Sequence, residues 1–162
     1  MFTAARIGVT TYATPSDREV VVTRVVDAPR RLVFDAMSNP KHVPQWLTGP
    51  EGWTMPVCEI DLRPGGAWRY VYRQPNGAEM TLQGSYREVA PPERIVSTES
   101  WGPEWPETIN TLVLTEAAGQ TTITMTIRYP SQEARDAALR SGMKDGMDQG
   151  FARLDGLLAS LV

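Results

Sequence analysis

The chain contains 162 residues, of which 41% are hydrophobic and 22% are charged, so it has the size and composition of one globular domain. Sixteen Lys and Arg residues against 19 Asp and Glu residues give a formal net charge of −3, which argues against a nucleic-acid-binding protein because these normally carry a basic face. A single cysteine excludes an intrachain disulfide. With no apolar run of about 20 residues, the sequence predicts a cytoplasmic protein without a membrane span.

The beginning of the chain divides into an arm and a domain. Residues 1–18 mix small and polar residues with Pro15, and we interpret them as an N-terminal arm that is either poorly ordered or a short edge strand. A single domain is expected over residues 19–162. Its first strand is predicted at 19–26, where β-branched residues are dense.

Two short helices are predicted after this strand. Asp27 is a candidate N-cap and Pro29 suits the first turn of a helix that ends before Pro40. The apolar residues between them recur at helical spacing. A second short helix is expected over residues 41–46.

The middle of the chain alternates strand-forming segments with turn residues. Asn76-Gly77 is typical of a tight hairpin, and the other turns are equally short. Short turns connect antiparallel neighbours, because parallel crossovers need a dozen or more residues. The predicted strands are 53–61, 67–73, 79–89, 93–100, 107–115 and 121–129.

A long C-terminal helix is predicted to follow, with Ser131 as its cap and its end near residue 160, and a break is expected near Gly142. This order of elements predicts an α+β fold. A curved antiparallel sheet of about six or seven strands would wrap around the last helix, because that arrangement buries the apolar faces of both.

Several motifs resemble a known superfamily. The START-like (SRPBCC, helix-grip, birch-pollen-allergen-like) superfamily opens with a segment similar to residues 27–36, followed by Asn39-Pro40 and Trp46. Within it, the chain resembles the branch of the activator of heat-shock-protein-90 ATPase homologues. The resemblance covers about residues 19–160, and the motifs of that branch are at 61–66 with Trp68, Gly84 with 88–89, 92–96, and 142–147 with Leu154.

The resemblance implies a helix-grip fold with an internal cavity, in a superfamily that includes lipid carriers, hormone receptors and aromatic cyclases. It does not fix the chemistry, because one fold supports many functions. The eukaryotic co-chaperone of this branch carries a separate N-terminal domain ahead of the resembling one. Only about 18 residues precede it here, so a chaperone interaction is the least favoured alternative.

The sequence contains no motif for binding a metal or a cofactor. His42 and Cys58 are the only nitrogen and sulfur ligands of the metal-binding kind, whereas zinc needs three or four ligands. We therefore expect no metal and no cofactor. As a nucleophile and a base these two residues could in principle cooperate, but we interpret them as a core thiol and a surface imidazole.

Aromatic and methionine residues carry the strongest indication of function. Trp68 and Tyr70 alternate with polar residues along a predicted strand, as do Met80 and Leu82 along the next, so each pair shares one face of the sheet. Aromatic side chains supply large contact areas and polar tips that orient a ligand. The predicted cavity residues are Trp46, Met55, Trp68, Tyr70, Met80, Leu82, Trp101, Trp105, Met143, Met147 and Phe151.

Three glycines recur every four residues in the last predicted helix, at positions 142, 146 and 150. A glycine inside a helix is destabilising by roughly 1 kcal/mol relative to alanine, so this stripe needs a reason. Either the helix packs closely on the sheet there, or the missing side chains leave room for a ligand.

The favoured hypothesis is a domain that binds a small apolar or aromatic molecule in its cavity, with no catalytic residues assigned and no nucleic-acid partner. One alternative is an enzyme of the cyclase or hydrolase kind, using Glu79, Glu99, Asp136 or Arg140. A chaperone-interacting module is the other. Whether two copies form a homodimer is left open.

Overall fold

The computed structural model describes residues 6–162, which form eight strands and four helices. The strands and helices in chain order are β1 (Thr10–Ala13), β2 (Glu19–Val26), α1 (Arg30–Ser38), α2 (Val43–Trp46), β3 (Thr54–Ile60), β4 (Ala67–Arg73), β5 (Glu79–Ala90), β6 (Arg94–Glu99), β7 (Thr108–Ala117), β8 (Gln120–Arg128), α3 (Gln132–Arg140) and α4 (Met143–Leu161).

All eight strands join one antiparallel sheet in the order β1-β2-β8-β7-β6-β5-β4-β3. The sheet curls around α4, which confirms the predicted α+β helix-grip fold. The predicted strand number was one too low, because β1 adds to the edge of β2 with Tyr12 opposite Val22. The edge-strand interpretation of the arm therefore applies to residues 10–13, while residues 1–5 lie outside the described part of the chain.

The core lies between the concave face of the sheet and α4. Alternate residues of each strand point inward, and Val20, Leu114 and Ile123 are almost completely buried. From the helix, Leu154 and Leu158 reach the same core. The helix is thus held by its C-terminal half, where the inward side chains are completely packed.

β5 changes its pairing partner midway along its length, and this point is called the bend of β5 below. Its first half pairs with β4 up to Ser85, and its second half pairs with β6 from Tyr86 onward. Gly84 lies at the bend, and a Cβ atom there would be 1.8 Å from the carbonyl oxygen of Thr98. Only glycine permits this approach of two backbones.

A bulge in β3 changes which side chains face inward. The register shifts between Thr54 and Val57, so both Met55 and Cys58 lie on the concave side. Without this extra residue, strict alternation would place the two side chains on opposite faces.

The helix ends differ from prediction at one cap. Pro29, with φ −68° and ψ 149°, is the N-cap of α1, so Asp27 lies too far ahead of the helix to cap it. Ser131 accepts a hydrogen bond from the amide of Ala134 and caps α3 as predicted. The expected break is also present, because Gly142 adopts a left-handed conformation with φ 85° between α3 and α4.

Candidate functional site

The sheet presents a continuous inward surface where β6, β7 and β8 lie beside the N-terminal half of α4. Glu99 is opposite Thr108, and Ser97 is opposite Asn110 in the next row. These positions share one face because facing residues of antiparallel strands point to the same side. The full set of inward side chains here is Ser97, Glu99, Thr108, Asn110, Leu112, Met125, Ile127 and Tyr129.

The side chains of this surface differ in how completely they are buried. Leu112 and Met125 point inward yet are only half-buried, whereas Leu114 and Ile123 in the next row are sealed. Met143 and Met147 of α4 are half-buried too. The gap between the sheet and the first turns of α4 is called the interior site below, and its walls are these inward side chains together with those of β4 and β5.

Tyrosines form the wall opposite β8. Tyr70, Tyr72 and Tyr86 are buried as residues, but their hydroxyl groups make no hydrogen bond to any residue that the structure describes. The fully enclosed side-chain polar atoms without a partner lie elsewhere, on Arg24, His42 and Trp68. The three hydroxyls therefore remain able to donate to or accept from a bound molecule.

Glu99 places a carboxylate on the same surface. One of its oxygens accepts a hydrogen bond of 2.6 Å from the indole nitrogen of Trp101, and the other accepts one from the amide of Asn110. The hydroxyl of Thr108 in turn donates to Asn110 over 2.8 Å, which fixes the orientation of that amide. Burial raises the pKa of Glu99 above its ordinary value, and the two hydrogen bonds oppose part of this rise.

Burial and the nearby carboxylate both raise the pKa values of three tyrosines. Burial raises the pKa of Tyr70 and Tyr72 well above the usual value, and that of Tyr129 to about 12. The negative charge of Glu99 adds to the rise at all three rings. Glu99 is thus close enough to the three rings for its charge to be felt inside the protein.

The nucleophile and base considered from the sequence do not meet. Burial raises the pKa of the Cys58 thiol to about 11, so it stays protonated near neutral pH. His42 lies with its Nε2 atom 3.2 Å from a carboxylate oxygen of Asp35, whereas Cys58 is the cross-strand neighbour of Tyr70. The pair therefore offers no thiolate chemistry.

Three of the four groups considered for an enzyme are at the surface. Glu79 pairs with Arg73 over 2.9 Å, and Asp136 accepts from the adjacent Arg135. Arg140 is exposed at the end of α3, because the break at Gly142 separates that helix from α4. Glu99 is the member of this group that points inward.

Residues 6–162 contain no group of three or more His, Cys, Asp or Glu side chains placed to hold a metal ion. None of their helices combines the length and the apolar character that a membrane crossing requires.

The predicted cavity residues separate into three groups. Met55, Tyr70 and Leu82 are buried on the concave face, whereas Met80, Met143 and Met147 are half-buried against the same core. Trp46, Trp68 and Phe151 are packed in the core, where the Trp46 and Phe151 rings stack with centroids 6.4 Å apart. Trp101 and Trp105 lie in the loop between β6 and β7 and are 40% and 49% exposed.

Several wall residues were absent from the predicted set. They are Tyr72, Tyr86, Asn110, Leu112, Met125 and Tyr129, while Glu99 was considered only for an enzyme. Alternation along β7 and β8 places Asn110, Leu112 and Met125 inward, and following that pattern from Leu114 and Ile123 would have identified them. The prediction concentrated on β4, β5 and the last helix and did not follow the alternation along β7 and β8, so it missed most of the inward side chains there.

A second concavity of about 870 Å³ lies on the convex side of the sheet at the bend of β5. Its walls are mixed, with Gln83 and Arg69 beside apolar groups such as Ile60 and Trp68. Arg69 pairs with Glu59 over 3.0 Å, so the charges of this groove largely satisfy each other.

Solved structures resemble the whole chain. A crystal structure from Rhodobacter sphaeroides is 30% identical, covers 94% of this chain and 99% of its own, and superposes with a TM-score of 0.88. A protein from Mycobacterium smegmatis shares the fold at 23% identity, with coverages of 92% and 96% and a TM-score of 0.81. An AHSA1-like protein from Aeromonas hydrophila shares it at 16% identity, with coverages of 85% and 93% and a TM-score of 0.70.

Comparison at the level of families agrees with the motifs and with the fold. No curated protein sequence matches the chain. Residues 27–159, which include every wall of the interior site, match the model of the Activator of Hsp90 ATPase homolog 1-like proteins. This chain belongs to that family.

Proposed function

We propose that the protein binds a small, mostly apolar or aromatic molecule in the interior site. The observation that carries the proposal is the contrast along the concave face, where Leu114 and Ile123 are sealed but Leu112 and Met125 stay half-open. A half-open apolar surface inside a fold is costly unless something covers it, because each Å² of apolar surface removed from water stabilises by roughly 25 cal/mol.

The lining supports a ligand with an apolar body and a polar end. Leu112, Met125 and Met147 offer deformable apolar contacts, since methionine adapts to irregular shapes. The free hydroxyls of Tyr70 and Tyr86 lie at the other wall and would orient the polar end.

The proposed function is binding rather than catalysis, within the cytoplasm that the single cysteine favours. Glu99 faces the site without an adjacent nucleophile, and the Cys58 thiol is held protonated by burial. A chaperone-binding role is not part of this proposal, because the features of the site concern a small molecule.

The test uses N-phenyl-1-naphthylamine, an uncharged aromatic probe whose emission rises in apolar surroundings. We expect saturable emission and a raised melting temperature, because a ligand that binds only the folded state stabilises it. Methyl NMR of the methionines locates the probe: Met125, Met143 and Met147 should shift, while Met37 on α1 serves as the internal control. Saturable binding that shifts only Met37, or no saturable binding, would contradict the proposal.

A further inference from the structure

Glu99 is an inward-facing carboxyl group for which the described part of the protein supplies no counter-ion. Its oxygens accept from Trp101 and Asn110, which are neutral donors, and no basic side chain among residues 6–162 forms an ion pair with it. Buried charges in proteins are normally paired. The interior site therefore contains one unpaired negative group.

Two arginines with largely buried side chains are already engaged. Arg24 points into the core but pairs with Asp155 over 2.5 Å, and its row of the sheet is six residues along β8 from Tyr129, which is about 20 Å. Arg135 pairs with Asp136 on α3 and also donates to a backbone carbonyl. Neither can neutralise Glu99.

Both carboxylate oxygens act as acceptors, which suits the ionised form. A carboxylate has about four lone-pair positions, so two remain after the bonds from Trp101 and Asn110. The indole ring of Trp101 touches the group directly through its hydrogen bond of 2.6 Å, and the negative charge of Glu99 also contributes to the raised pKa values of Tyr70 and Tyr129. A carboxylate among aromatic faces is the combination that attracts an organic cation, by charge pairing and by cation–π contact.

From this arrangement we propose that the interior site selects ligands that carry a protonated amine, with Glu99 as the counter-ion and the apolar body against Leu112, Met125 and Met147. The inference rests on the proposed function, since it names the chemical class of the molecule bound there. It predicts discrimination by charge among molecules of equal size and shape.

Three probes with one skeleton separate the two claims: 4-phenylbutylamine, 4-phenylbutan-1-ol and 4-phenylbutanoate, each measured by tryptophan fluorescence and by displacement of N-phenyl-1-naphthylamine. We expect the amine to bind about tenfold tighter than the alcohol or more, because hydrogen bonds to charged groups are the stronger ones. The carboxylate should bind most weakly, because it repels Glu99.

The variant Glu99→Gln removes the charge and keeps the shape of the side chain. It should lower the affinity for the amine by about tenfold or more and leave that for the alcohol unchanged. Glu79→Gln is the matched control, since Glu79 lies on the outer face and pairs with Arg73. The ranking of the three probes on the native protein needs no variant, so it tests the idea even if Glu99→Gln misfolds.

The outcomes distinguish the binding function of the interior site from its preference for a protonated amine. An amine preference that disappears in Glu99→Gln supports the inference. Equal binding of amine and alcohol, or tightest binding of the carboxylate, overturns the inference and leaves the binding function in place. Failure of all three probes and of N-phenyl-1-naphthylamine overturns both.

Discussion

At the scale of single residues, Glu99 combines two opposing influences. Burial favours its protonated form, whereas the donors from Trp101 and Asn110 favour its ionised form, and burial is the larger effect. The folded state consequently holds the proton of Glu99 more tightly than the unfolded chain does. Stability and pH are therefore linked through this side chain.

The sign of the linkage gives a prediction for Glu99→Gln. Because the folded-state pKa lies above the ordinary value of 4.5, the folded protein binds more protons than the unfolded chain between those two values. The contribution of Glu99 to stability is thus fully present below 4.5 and is lost as pH rises through the folded-state pKa. The unfolding free energy of the native protein minus that of the variant should fall as pH rises from 4.5 toward neutrality.

Urea unfolding at a series of pH values measures this difference directly. Glu79→Gln, compared in the same way, reports on a carboxylate at the surface that pairs with Arg73. A difference for Glu99→Gln that stays flat, or that grows with pH, would show that the site does not favour the protonated form of Glu99.

The sequence predicted the strand that contains Glu99 but not the inward orientation of its side chain. The strand containing Glu99 was predicted, but a carboxylate next to Ser100 and Trp101 gives no local indication that it faces inward. Its orientation depends on pairing with Thr108, and its environment depends on Tyr70, which is 29 residues earlier in the chain. Burial of a charge is a tertiary property, so spacing along one strand could not establish it.

At the scale of elements, α4 has two different halves. Leu154 and Leu158 seal the C-terminal half against the sheet, while Met143 and Met147 leave the N-terminal half partly open. The first turns are held at the side, where the hydroxyl of Tyr12 donates to Asp148 over 2.7 Å. The half of the helix that borders the interior site is thus positioned by a hydrogen bond to β1 and only partly by core packing.

The three glycines of the stripe differ in backbone conformation and in what surrounds them. Gly142 lies before the helix in a left-handed conformation, so the expectation of close packing there was wrong. Gly150 approaches Trp46, with its missing Cβ 3.6 Å from the carbonyl oxygen, which is ordinary contact. Where a Cβ of Gly146 would lie, no atom is within 4 Å. The sequence predicted the break near Gly142, but the four-residue spacing gave no indication that Gly142 lies outside α4 in a different backbone conformation.

Replacing Gly146 by alanine should separate stability from binding. The added methyl group meets open space, so we expect a gain in stability of up to about 1 kcal/mol from helix propensity. If Gly146 borders the interior site, the affinity for N-phenyl-1-naphthylamine should fall at the same time. Gly156→Ala is the control, because it also meets no atom but lies on an exposed part of the helix.

Thermal unfolding measures the stability of both variants, and titration with N-phenyl-1-naphthylamine measures their affinity for the probe. Equal stabilisation with weaker binding only in Gly146→Ala supports the site. A loss of stability in Gly146→Ala would mean that the helix approaches its neighbours more closely there than the structure indicates.

At the scale of the whole molecule, the site exists because one sheet covers the helix from two sides. β2 and β8, near the two ends of the chain, lie side by side, and β3 to β5 form the opposite wall. Seven of the eight strands and both short helices could be predicted from residue patterns. The pairing of β2 with β8 was not predicted, because a contact between strands about 100 residues apart leaves no periodic pattern in the sequence.

The bend in β5 decides whether these two walls can face each other, and Gly84 is its critical residue. A methyl group at this position would overlap the backbone carbonyl of Thr98 and crowd the indole nitrogen of Trp68, at 1.8 Å and 2.9 Å. A backbone atom cannot rotate away as a side chain can, so relief requires the strands to separate.

Gly84→Ala should therefore destabilise by about 1–3 kcal/mol or more, the usual effect of overpacking. It should also weaken binding of N-phenyl-1-naphthylamine, because Trp68 and Thr98 connect the two walls. Gln83→Ala is the control on the same strand, since Gln83 is exposed and its change should stay within about 0.5 kcal/mol. If urea unfolding gives Gly84→Ala the same midpoint as the native protein, the close approach of β5 and β6 is not what curls the sheet.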